Sequence, residues 1–84
     1  MNYPIDNIEL FKKHMNQLGY QEESNRFLSK HFTDLDNYKI AYDINISIDN
    51  EKLTAITGYD YHNKVIDIPK DILKMIKNDI KHSL

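Results

Sequence analysis

The chain has no cysteine and no tryptophan, only two glycines and two prolines, and a single arginine, Arg26. Without cysteine there are no disulfide staples, thiol nucleophiles or thiolate metal sites, so stability has to come from packing or oligomerisation. Gly19 and Gly58 stand alone, which excludes the glycine-rich loops that cradle phosphates in nucleotide-binding proteins. So few glycines and prolines also leave little chain for linkers. No apolar run approaches the roughly 20 residues that cross a bilayer, and Met1-Asn2-Tyr3-Pro4-Ile5-Asp6 lacks the basic and apolar regions of a secretory leader. A cytoplasmic location without membrane contact is expected.

What is present points to one globular domain. A length of 84 residues is enough for one hydrophobic core and too short for two, so a single domain over residues 1–84 is expected. An apolar share of 40% and a charged share of 29% lie close to globular values and argue against disorder. The net charge of −2 hides an asymmetry. Residues 1–33 balance to 0, residues 34–63 to −4 and residues 64–84 to +2, an acidic middle followed by a basic end.

The hydrophobic pattern predicts the order ααβββα, an α+β domain in which helices cover one face of a three-stranded antiparallel meander. Asp6 and Glu9 have capping-box spacing, Ile5 and Leu10 are placed to form a hydrophobic staple, and Ile8, Phe11, Met15 and Leu18 recur at helical spacing up to the terminator Gly19. A second helix is expected from about Gln21 to Thr33, because Gln21-Glu22-Glu23-Ser24 suits an acidic first turn and Phe27, Leu28, His31 and Phe32 gather on one side. Asp34-Leu35-Asp36-Asn37 supplies a turn.

The strongest local signal spans residues 38–48. Tyr38, Ile40, Tyr42, Ile44, Ile46 and Ile48 alternate with Lys39, Ala41, Asp43, Asn45 and Ser47. A period of two specifies a strand with one face buried. Asp49-Asn50-Glu51-Lys52 reads as a hairpin loop into a second strand over residues 53–61, with a bulge expected near Thr57 and Gly58. His62-Asn63 turns the chain into a third strand over residues 64–68. Pro69 suits the first turn of a last helix with an apolar stripe of Ile72, Leu73, Ile76 and Ile80.

Candidate chemistry is sparse. His14, His31, His62 and His82 form no metal-binding spacing, and the Asp34 segment fails as a calcium loop because Lys39 and Asn45 stand where glycine and glutamate are needed. Asp43, Asp60 and Asp67 come from three expected strands and could share a sheet face, but catalysis would require one of them to be desolvated or strongly coupled. No catalytic residue, cofactor or metal site is expected.

Two surfaces are left. Asp43, Asp49, Glu51 and Asp60, with strand tyrosines beside them, suit docking to another protein or homodimerisation. Lys70, Lys74, Lys77 and Lys81 fall in one narrow sector of the last helix and suit phosphate contacts, although acidic neighbours and the near absence of arginine weigh against nucleic acid. The excess of Ile, Asn and Lys suggests a gene of low G+C content, and size and composition resemble in kind those of small phage or mobile-element proteins. The expectation is a non-enzymatic protein-binding domain, an inhibitor or regulator that occludes a host protein. A nucleic-acid-binding regulator is the alternative.

Overall fold

A computed structural model describes residues 3–33, 41–60 and 62–84. The elements are β1 (Tyr3–Pro4), α1 (Ile8–Gln17), β2 (Gln21–Ser24), β3 (Phe27–Thr33), β4 (Ala41–Asp49), β5 (Lys52–Asp60), β6 (Val65–Ile66) and α2 (Lys70–Ser83). They form one antiparallel sheet of order β1-β5-β4-β3-β2, with β6 also paired to β5. The α+β class stands, but ααβββα and the three-stranded meander do not: the described residues hold six strands and two helices, and the expected second helix is a β-hairpin.

The hairpin replaces the helix because a tight local turn is joined to a long-range pairing with β4. Asn25 and Arg26 form a tight turn between β2 and β3, fastened by the Arg26 amide, which donates to Ser24 Oγ at 3.1 Å. In β3, Leu28, Lys30 and Phe32 lie opposite Ile46, Ile44 and Tyr42 on the inner face. The lysine in this row conceals the alternation. It is accommodated because its stem runs along apolar surface while Nζ donates to the Leu18 carbonyl at 2.8 Å and lies 4.9 Å from the Tyr20 ring centre and 5.2 Å from that of Phe32.

The first helix begins one residue later than the capping-box spacing predicts. Asn7 is the cap, its Oδ1 accepting from the Leu10 amide at 3.1 Å. Leu10 is 47% exposed while Ile5 is buried, so the expected staple gives way to Ile5 joining the main core. Gly19, at φ +97°, ends the helical segment in the left-handed region that favours glycine.

In β4 the expected alternation holds for the described part. Tyr42, Ile44, Ile46 and Ile48 are buried, and Asp43, Asn45 and Ser47 take the other face. Residues 34–40 lie outside the described residues, and with them the expected turn and the Tyr38 and Ile40 positions. Asn50 and Glu51, both at positive φ (52° and 61°), make the two-residue turn into β5 whose twist suits a tight hairpin. The bulge falls at Thr54, not near Thr57: Ser47 pairs with Ala55 while the next residue, Ile48, pairs with Leu53. The extra residue lets both Leu53 and Ile56 face inward.

Helix α2 closes the inner face. Ile76 and Ile80 are buried with Phe11, Met15 and Tyr20 of the α1 region and the inner rows of β3, β4 and β5. Each fully buried apolar side chain here contributes on the order of 1.5–3 kcal/mol. Tyr20 is fully buried, and its hydroxyl donates to Asp79 of α2 at 3.0 Å. Burial first, then that hydrogen bond and the carboxylate's charge, raise the Tyr20 pKa well above its ordinary value. Gly58 sits where a Cβ would come within 2.9 Å of Ile68 Cγ1 and 3.3 Å of Ile66 Cγ1, so its missing side chain lets the segment after the His62-Asn63 turn lie on the inner face.

Candidate functional site

Helices on one face leave the other face of the sheet to be built from odd positions of β3, β4 and β5. Register puts Phe27, Ser47 and Ala55 in one row, then Ser29, Asn45 and Thr57, then His31, Asp43 and Tyr59 with Val65 beyond. The centre is small and polar. Phe27 and Tyr59 are half-buried and Val65 is 70% exposed. No described element lies over this face. His31 Nδ1 and Asp43 Oδ1 are 2.8 Å apart across its open end, both well exposed, and Glu23 Oε1 accepts from Ser29 Oγ at 2.8 Å along the β2 edge.

The structure separates the four acids singled out from the sequence. Asp43 belongs to the helix-free face. Asp49 and Glu51 are exposed at the opposite end of β4, six residues or about 20 Å from Asp43. Asp60 pairs in register with Tyr42 and so alternates to the inner face. Its Oδ1 accepts from the amides of His62 and Lys64, each at 2.9 Å, an Asx-type turn that accounts for its place in the chain. Asp43 and Asp60 therefore face opposite ways, and the shared-face trio with Asp67 does not form. Among the described residues no three His, Asp or Glu side chains are grouped to hold a metal.

The lysines, by contrast, come together. Lys70, Lys74, Lys77 and Lys81 are all exposed on α2 and fall within an arc of about 60° at 100° per residue. Among the described residues the ion pairs are Lys12 with Glu22 and His31 with Asp43, so none of the four lysines is neutralised in this way. Asp79, an acidic residue of the same helix, is turned toward Tyr20. Beside the stripe runs a groove of about 380 Å³ lined by Tyr3, Lys77, Asn78, Ile80, Lys81 and Leu84. Leu84 is legible from the sequence as a margin of the apolar stripe of this helix, but Tyr3 is not, because only the pairing of β1 with β5 brings the start of the chain beside α2.

Among the described residues, no helix is long and apolar enough to cross a membrane. Compared with family models, curated proteins and solved structures, the chain gives no match to any of the three, so its function has to be read from its own residues.

Proposed function

We propose that the chain is a non-enzymatic binding domain that docks another protein on its helix-free sheet face. The observation that carries this is the make-up of that face. It combines two half-buried aromatic rings and an exposed valine with a centre of Ser29, Asn45, Ser47, Ala55 and Thr57, and these three rows hold no lysine or arginine, Lys52 standing in the next row opposite Asp49 at the end of the sheet. Protein contact surfaces are enriched in aromatic side chains and depleted of lysine. Asp43 and Glu23 give its rim an acidic character, which favours a partner with basic side chains around an apolar centre. Action by occluding a partner's surface fits a small domain with no catalytic constellation in its sequence.

The test is site-specific cross-linking. A photoreactive residue at Thr57 should capture one partner from extracts of the native host, and the same residue at Met75, an exposed α2 position, should not. Asn45→Arg and Asp43→Lys should abolish the capture while far-UV circular dichroism stays unchanged. Capture that survives both substitutions in folded protein would remove the sheet face as the docking surface.

A further inference from the structure

We infer that the lysine row of α2 and the ring of Tyr3 together form a second, independent site for single-stranded nucleic acid. Lys70, Lys74, Lys77 and Lys81 follow i, i+4, i+7, i+11 spacing, which extends the row over about 16 Å of helix axis. Along one side of it, Leu73 lines a shallow groove with Lys70, Lys74, Lys77 and Asn78. Lys77 and Asn78 also line the groove that contains Tyr3, Ile80 and Leu84, so the two grooves adjoin at these residues. Cations thus border an apolar track along the helix, and a half-exposed aromatic ring (50%) stands at one end.

That combination has a specific chemistry. A positively charged track follows a phosphodiester backbone, and a neighbouring ring stacks a base whatever its identity. Lysine is a point charge without the planar fork by which arginine reads guanine, so the site is sequence-tolerant. An acidic polypeptide would also meet the charge requirement but has no use for a stacking ring. The row is clear of compensation from its own helix, because Asp79 is committed to Tyr20 and Asp71 lies about 60° beyond the nearest lysine around the helix. The acidic positions Asp43 and Glu23 belong to β4 and β2, away from this outer side of α2.

The experiment is fluorescence anisotropy with a short labelled oligothymidylate at about 50 mM salt. Binding should weaken with salt at a logarithmic slope of roughly −2 to −3, from three or four neutralised phosphates at about −0.7 each. Lys77→Gln should reduce that slope by about 0.7. Tyr3→Ala should weaken binding on the order of tenfold with the slope unchanged, and Tyr3→Phe should restore it. Unfolding curves of the same variants confirm that each is folded. Absence of binding at low salt overturns the inference, as does binding indifferent to Tyr3→Ala. Equal binding of duplex, or tighter binding of polyglutamate, overturns the single-strand assignment in favour of a general anion surface.

Discussion

The Tyr20 hydroxyl offers the sharpest check on how the fold is held together. Tyr20→Phe keeps the ring in the core and its contact with the Lys30 ammonium but removes the donor to Asp79. A hydrogen bond to a charged group contributes about 1.5–3 kcal/mol; Asp79 is only half-buried and can recover water, so the lower end, about 1.5 kcal/mol, is expected. For a domain of this size that is a fall of roughly 6–12 °C in Tm. The pH dependence makes the test specific. Tyr20 has an ordinary pKa of 10.0, raised in the folded protein. Below pH 10 both states hold the proton and the group adds no slope. Above it the unfolded chain releases a proton that the folded chain keeps, so stability falls by about 1.4 kcal/mol per pH unit until the folded value is reached. By pH 11 the accumulated loss is about 1.4 kcal/mol, close to the whole advantage over Tyr20→Phe. Urea unfolding followed by circular dichroism from pH 8 to pH 11 should therefore show the two stability curves converging. Groups common to both chains cancel in the difference. A gap that stays constant with pH would refute the assignment of Tyr20 as a buried neutral donor.

Four further substitutions probe the local geometry by thermal unfolding. Glu51→Gly should stabilise by about 1 kcal/mol, because a non-glycine residue at φ 61° carries the left-handed penalty. The Ile5 amide, which donates to the Glu51 carbonyl at 2.9 Å, would keep its partner. Gly58→Ala should destabilise by about 1–3 kcal/mol, since the added methyl meets Ile68 and Ile66 in a packed inner face. Asn7→Ala should cost about 1 kcal/mol through loss of the cap to Leu10, whereas Asp6→Ala should stay within about 0.5 kcal/mol. The reverse order would restore Asp6 as the cap.

Elements whose buried side chains are uniformly apolar could be read from the sequence, and those that bury a compromise could not. Phe11 and Met15 on α1, Ile76 and Ile80 on α2, and the isoleucines of β4 follow a simple period and are buried. The β2–β3 hairpin hides its period. All four residues of β2 are exposed at the sheet edge, so nothing forces them to alternate. The inner row of β3 is interrupted by Lys30, tolerable only because Leu18, Tyr20 and Phe32 converge on its ammonium. No local window contains that information, since Leu18 is twelve residues away along the chain. The shift of the bulge to Thr54 has the same origin. Burial of Leu53 and Ile56 on one face decides where the register slips, and weak alternation over residues 53–61 leaves several positions open.

The candidate surfaces divide along the same line. Lysines four and seven residues apart share a helix face whatever the rest of the chain does, so the basic row was legible. The acids depend on register and on turn chemistry, which send Asp60 to the inner face and Asp49 to the far end of β4. That difference has an experimental consequence. The sheet face and the α2 row lie on opposite sides of a layer of helix packed on sheet, with Ile76 and Ile80 pointing into the core between them. Groups so placed share no partner, and substitutions at sites without shared partners act additively. Asp43→Lys should leave oligothymidylate binding unchanged, and Lys77→Gln should leave the Thr57 cross-link unchanged. If either substitution disturbs the other surface's assay in folded protein, the two surfaces belong to one contact area, and a single partner wraps the edge of the sheet.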